Sequence, residues 1–562
     1  MSKGISARIG NKFYGMKNKK TIAIVLPILA LGGVAAFAIQ NALKTKQKRP
    51  NIILIITDDH GYQALSCYGS KLIQTPNMDR IANEGMRFDN CYVSNSISGP
   101  SRACILTGKM SHINGFTDNS KTFDGNQMTF PKLLHESGYQ TAMIGKWHLT
   151  SNPQGFDFWS VLIGQGEYYS PDFIENGKEI RERGYVTDII TDKAINFLKN
   201  RDPNKPFAMI YNHKAPHMNW IPAPRHMGIY NNTIFPEPDN LFDDHAGMGR
   251  AAKEQLMNIS TNMWEDEVLK IANPADLEGN YEIKGYNENK ADFARANKRE
   301  NGLTQLRTDY SRMSRDEKAK FNEAYKQRNE EYRSRKLSGK ELTSWKYQQY
   351  MRDYLATVLA VDENIGRLIK YLEDIGELDN TIIIYTSDQG FYLGEHGWFD
   401  KRFMYEESQR TPFLVCYPKA IKPHGVSKAL SMNIDIAPTL LDFAGVRIPS
   451  EIQGRSLKPI LESDGKAPTD WREAVYYHYY EYPGWHSVKR HYGIRTNRYK
   501  LIHFYNDIDE WELYDLKGDV PEKKNVYNDP RYKPVREYML GLLAKTSKEY
   551  KDDDPTEKLK KF

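Results

Sequence analysis

The chain has 562 residues, 27% charged and 40% hydrophobic, enough for a large globular core with a second domain or sizeable insertions. Its formal net charge is only +6, with both signs of charge mixed along the sequence. No concentrated basic face is visible, which speaks against a nucleic-acid partner and leaves room for a locally basic cleft that takes an anion. The four cysteines, Cys67, Cys91, Cys104 and Cys416, are scattered without C-x-x-C spacing. They suggest neither a zinc site nor a disulfide framework, and read as small buried hydrophobes.

Residues 21–38 are apolar, follow Lys17, Lys19 and Lys20, and end in the small-x-small run Ala36-Phe37-Ala38. This predicts a secretory signal peptide over residues 1–38, with Met16 as an alternative start. A retained membrane anchor is the other reading, but the span is short for one. No cysteine follows for a lipid anchor, so the expectation is a secreted, periplasmic protein with no stable membrane span after cleavage.

Asn51-Ile-Ile-Leu-Ile-Ile-Thr57 is a continuous apolar run, the mark of a buried parallel strand, and it ends in Asp58-Asp59. Ligands of open α/β sheets bind at the carboxyl ends of strands. Adjacent carboxylates there repel unless a hard cation lies between them; a pair of turn aspartates is the plainer reading. Residues 76–88 form a short helix ending at Gly85. Ser98-Gly99-Pro100-Ser101-Arg102 reads as a helix start, with Ser98 as the cap, Pro100 at the entry and Arg102 one turn on, on the same face. That combination places Ser98 where an anion would be held, or else makes an ordinary capped helix with a surface arginine.

Tyr139–Gly145 is a further strand, leading into Lys146-Trp147-His148; Lys146 and His148 share a face if the chain stays extended. Pro206–Tyr211 is another, entering Asn212-His213-Lys214-Ala215-Pro216-His217. Residues 240–345 are polar and predict mostly helices inserted over the sheet. Residues 346–376 have a strong helical period that Gly376 stops. Thr381–Thr386 is a second apolar strand with an acidic end, Ser387-Asp388-Gln389-Gly390, and Arg410–Pro418 a further strand; Met432–Gly445 starts a helix packed on the sheet. From about 465 the chain turns aromatic and strand-like, as in Tyr476-Tyr-His-Tyr-Tyr-Glu-Tyr482, before a closing helix over 530–550. The expected architecture is α/β. A large mixed, mostly parallel sheet flanked by helices spans 50–464, and a smaller α+β subdomain with an antiparallel sheet spans 465–562.

S-x-P-S-R at 98–102 followed by Leu106-Thr107-Gly108, together with G-K-W-H at 145–148, A-P-H at 215–217 and S-D-Q-G through Asp400-Lys401, resembles the type I sulfatases in their serine-type form. Those sulfatases have an alkaline-phosphatase-like fold. The resemblance implies that Ser98 is oxidised to formylglycine by a radical maturation enzyme that accepts serine. One hydroxyl of the hydrated aldehyde would attack sulfur, and the other would then expel sulfate. It further implies calcium held by Asp58, Asp59, Asp388, Gln389 and residue 98. Arg102, Lys146 and Lys401 would neutralise the sulfate, His148 would hold the diol, and His217 would act as general acid. His213 is the weaker histidine of its segment. Gln389 departs from the Asn or His usual after this aspartate, but still offers a carbonyl oxygen on a longer arm.

The run at 387–402 and the C-terminal histidine-tyrosine segments resemble bacterial sulfatases that remove 6-O-sulfate from N-acetylglucosamine. The implied substrate is a sulfated glycan of heparan, keratan or mucin type, attacked from its end. His478, Glu481, Trp485, His486 and His491 are candidates for sugar contacts, or else part of an aromatic core. Alternatives are another sulfated sugar, a phosphodiester or phosphonate substrate of the same superfamily, or a glycan-binding protein whose Ser98 is never converted.

Overall fold

The computed structural model describes residues 49–279 and 304–552. The signal-peptide segment, part of the polar insertion and the last ten residues lie outside the described residues. The described residues from 50 onward form one compact unit.

Ten strands make the central sheet. Their spatial order is Gly425–Ser427, Met86–Phe88, Phe413–Cys416, Thr381–Ser387, Asn51–Thr57, Phe207–Asn212, Gln140–Gly145, Phe158–Leu162, Asp172–Glu175 and Lys178–Arg181. The middle five, Thr381–Ser387 to Phe158–Leu162, are parallel; antiparallel strands flank them on both sides. Strand Asn51–Thr57 is buried along its whole length. Its Ile53 and Ile55 join the apolar layer under the helices Val186–Asn200 and Gly339–Asp374, while Ile52, Leu54 and Ile56 join the layer under Ile436–Phe443. A strand covered on both faces needs apolar residues at every position, which is why it reads as an unbroken run.

The separate antiparallel sheet contains Val475–Tyr479, His491–Arg495, Tyr499–Phe504 and Glu510–Asp515, with helix Lys533–Glu549 against it. Both expected sheets are therefore present. The insertion differs from expectation. Residues 240–279 hold only the short helices Arg250–Glu254 and Pro274–Leu277, and the rest is turns rich in Asp, Asn and Gly. Long helices begin at Thr304–Arg312 and Arg315–Arg335.

Candidate active site

Thr57 and Ser387 pair in parallel register, so Asp58 and Asp388 leave the sheet side by side. Asp58, Asp59, Asp388 and Gln389 are all buried. Ser98 opens the helix Ser98–Thr107 as its first residue; Ile97 is the cap residue, and no side chain caps the end. The expected cap role of Ser98 fails for a physical reason: its hydroxyl donates instead to Asp58 Oδ1, 3.0 Å away. Ser98 is 3% exposed.

Three cations close on these acids. Arg102 Nε donates to Asp388 Oδ2 at 3.0 Å, and Nη2 lies 2.9 Å from the same oxygen. Lys146 Nζ donates to Asp58 Oδ2. Lys401 Nζ spans both oxygens of Asp59 at 2.6 and 2.7 Å. Lys146 and His148 do not share a strand face, because the strand ends at Gly145 and His148 turns into the left-handed region at φ 55°. They are brought together by the Gln165 side chain, whose amide nitrogen lies 3.0 Å from His148 Nε2 and whose oxygen accepts from Lys146. His217 Nδ1 lies 2.7 Å from the Met218 carbonyl, and Nε2 faces Asp59 Oδ2 at 3.8 Å. His213 packs on the Tyr211 ring and is fully buried, away from these acids.

Burial dominates the protonation of the cluster. It raises Asp388 to about 7, helped by the charge of Asp58, and raises Asp59 to about 6 against the pull of Lys401. Burial would raise Asp58 too, but Lys146, His217 and Arg102 hold it well below the usual carboxylate range. Burial and then Lys146 hold His217 well below the ordinary histidine value. The carboxylates of Asp58 and Asp59 and the His217 ring have ligand atoms within 4.8 Å of one another. Gln389 Oε1 is buried in the same cluster with no hydrogen-bond partner, while its Nε2 donates to Asp59 Oδ1. A convergent set of carboxylate oxygens beside an unsatisfied amide oxygen suits a hard, oxygen-seeking cation.

The C-terminal candidates divide. His486 faces Asp400 Oδ2 at 2.8 Å and Leu256 O at 2.6 Å, and Asp400 in turn lies 3.3 Å from Lys401. Glu481 lies 3.4 Å from Arg402. Trp485 is half-buried and lines a cleft with Met218, Leu256, Trp264 and Phe399; the rings of Trp264 and Trp485 are 6.2 Å apart. His478 and His491 point elsewhere. His478 is held by Asp552 and Tyr505, each at 2.6 Å. His491 accepts from Met404 N at 3.1 Å and meets Lys489 O at 2.8 Å. Both rings are core of the small sheet, with their nitrogens already used. Sequence reasoning missed Gln165 and Trp264. Gln165 sits in I-G-Q-G and Trp264 in a polar tract, and no local pattern separates either from loop composition.

Comparison with known proteins bears on this geometry. A family model described as "Sulfatase" matches residues 50–446, and one described as "N-sulphoglucosamine sulphohydrolase, C-terminal" matches 394–549. The chain is 62% identical over 544 residues to an N-acetylglucosamine-6-O-sulfatase of Bacteroides thetaiotaomicron, covering 96% of this chain and 93% of that one. A solved structure of a protein in complex with its substrate D-glucosamine-2-N,6-O-disulfate superposes with a TM-score of 0.86 and 64% identity, covering 91% of this chain and 100% of the other. A phosphonate monoester hydrolase of Agrobacterium radiobacter, 21% identical, shares the fold with a TM-score of 0.58, covering 89% of this chain and 96% of that one.

Proposed function

The chain belongs to the sulfatase family, and from that premise we propose that it hydrolyses the 6-O-sulfate ester of N-acetylglucosamine at the end of a glycan chain. The observation that carries the substrate is the 62% identity, over nearly the full length, to a relative named for that activity. The geometry supports the reaction class, since the Ser98 hydroxyl bonds to Asp58 within a buried cluster of three carboxylates and three cations.

In this reading Asp58, Asp59, Asp388 and Gln389 hold a calcium ion, which the unsatisfied Gln389 Oε1 favours. Once bound, the ion compensates the acids and polarises the sulfate. Formylglycine at position 98 supplies a hydrated-aldehyde nucleophile for sulfur. The chain's own residues do the rest. Arg102, Lys146 and Lys401 are held beside the acids by Asp388, Asp58 and Asp59, so their charge already stands at the site where the sulfate would bind. His148 orients residue 98. His217 donates Nδ1–H to Met218 O, which leaves Nε2 bare in the resting protein, where burial and Lys146 disfavour the charged ring. As general acid it takes a proton on Nε2 once the negative sulfate is beside it and releases that proton to the ester oxygen. A primary sugar oxygen is a poor leaving group, and that proton is what it needs. The Trp264–Trp485 cleft begins at Met218 and Phe399, next to His217 and Asp400, and suits the apolar face of a sugar. His486 and Glu481 sit where they steady Asp400 and Arg402.

The proposal also includes conversion of Ser98 by a serine-accepting radical enzyme, secretion to the periplasm through the 1–38 signal segment, and a catalytic part 50–464 completed by 465–562. Among the described residues no helix is long and apolar enough to cross a membrane. The test is sulfate release from defined sugars. Matured protein should act on 6-sulfo-N-acetylglucosamine far faster than on 6-sulfogalactose, 6-sulfo-N-acetylgalactosamine or a phosphate ester. Preference for any of these, or for a 2-O-sulfated uronic acid, overturns the substrate.

A further inference from the structure

Gln165 lies in the loop between strands Phe158–Leu162 and Asp172–Glu175, flanked by Gly164 and Gly166, both in the left-handed region at φ 57° and 70°. Its side chain makes two contacts whose polarity is fixed by chemistry. Lysine only donates, so the atom facing Lys146 Nζ is the amide oxygen. The amide nitrogen must then donate to His148 Nε2, 3.0 Å away. A nitrogen that accepts carries no proton, so His148 holds its hydrogen on Nδ1. One amide thereby holds the Lys146 ammonium together with its Asp58 partner and sets which tautomer His148 adopts.

The loop is built to hold that amide still. Lys214 Nζ donates to the Gln165 carbonyl at 3.2 Å, and its charge lies over the Tyr168 ring. Asp309, on helix Thr304–Arg312 of the insertion, accepts from Tyr168 N and Tyr169 N at 2.6 and 3.0 Å. Arg312 on the same helix pairs with Glu167 at 2.9 Å. The Tyr168 hydroxyl donates to the His217 carbonyl. Lys146 is fixed from its own side, its main-chain oxygen accepting from Arg102 and from Asn212 at 3.1 and 2.9 Å.

We propose that Gln165 is a positioning residue for sulfate-ester hydrolysis, fixing the Lys146 ammonium and the His148 tautomer, and that the 304–312 helix acts on the reaction by holding its loop. The proposal rests on the reading above that Lys146 and His148 serve the sulfate and residue 98. Gln165→Met keeps the volume and removes both hydrogen bonds. It should lower kcat/KM on 6-sulfo-N-acetylglucosamine about 10- to 100-fold, the usual effect of removing a partner that orients a working group. The unfolding midpoint should stay at the parent value. The discriminating measurement is a double-mutant cycle, read at high enzyme concentration and long incubation. If Gln165 acts through His148 and Lys146, Gln165→Met should cost clearly less in the His148→Ala background and in the Lys146→Ala background than it does in the parent. The idea is overturned if Gln165→Met alone stays within twofold of the parent, or if its loss simply multiplies with both of the others. If Lys146→Ala and His148→Ala both retain full activity, the underlying reading has failed and this proposal falls with it. If those two lose activity while Gln165→Met does not, only this proposal falls.

Discussion

At the scale of single residues, the site is an arrangement of buried charge, and its first consequence concerns Ser98. Ser98→Ala removes the only group at that position able to become a nucleophile. Sulfate release should vanish while the circular dichroism spectrum and unfolding midpoint hold, because only one hydrogen bond, to Asp58, is lost. A second consequence concerns pH. Without a cation, Asp59 and Asp388 bind protons up to about pH 6 and 7, well above the unfolded value of 3.8. The folded chain then binds more protons than the unfolded chain between about pH 4 and 7, so these two groups make the cation-free protein less stable as pH rises through that window. On the proposed reading, a bound calcium ion would relieve this. Its stabilisation of the protein should therefore grow from pH 5.5 to pH 7.5 in thermal unfolding, and its affinity should fall as pH drops below 7. A calcium shift independent of pH would count against these ligands. His217→Ala should reduce turnover of the sugar sulfate more than that of an aryl sulfate, whose leaving group needs no proton. Asp58, Asp59 and Asp388 were legible because each follows an apolar run at a strand's carboxyl end. Gln165 and Trp264 were not, because what distinguishes them is contact with groups far away in sequence.

At the scale of elements, the strands that carry the site are also those whose sequences announce them. Asn51–Thr57 and Thr381–Ser387 are covered on both faces and are apolar throughout, whereas Gly425–Ser427 at the sheet edge and Met86–Phe88 beside it are three-residue pieces with too little pattern to read. The tract 240–279 was misjudged because its polar composition suits an exposed helix and a chain of turns equally well. Gly145 shows how an element ends so that chemistry can begin. It closes strand Gln140–Gly145 at φ 100°, and a Cβ there would stand 1.8 Å from the Asn212 carbonyl oxygen. No side chain can occupy that position without moving the neighbouring strand, which itself leads to His217. Gly145→Ala should therefore cost upwards of about 4 kcal/mol, in the range reserved for major disruption. The expected result is insoluble or unfolded protein by chromatography and thermal unfolding.

At the scale of the whole molecule, the C-terminal sheet is tied to the catalytic part by buried charge as well as by apolar packing. Arg495 and Lys500, on the small sheet, reach Glu406 at 3.0 and 3.1 Å, and Lys500 also meets Glu522 at 2.7 Å. Tyr477 donates to the main chain of Arg402, and His478 N donates to Ser94 O at 3.0 Å. Removing one member of such a buried group strands the others, at a cost of about 3–5 kcal/mol. Arg495→Met should show that loss in denaturant unfolding. A chain cut at 464 should fail to fold by proteolysis and size exclusion. The sequence change at 465 thus marks a new sheet, but not an independent one; composition revealed the sheet, while its dependence lies in pairings across the chain.

All ten residues of the helix that begins with Ser98 are buried. A second enzyme cannot grip a segment so enclosed, so on the proposed route the oxidation of Ser98 has to happen while the chain is still open. Once the sheet closes over it, each molecule keeps the state it had at that moment. The active fraction of a preparation is then a record of a race between folding and modification, run once during synthesis. Adding more maturation enzyme to folded, unconverted protein should leave its activity unchanged, whereas the same enzyme given the unfolded chain should convert it.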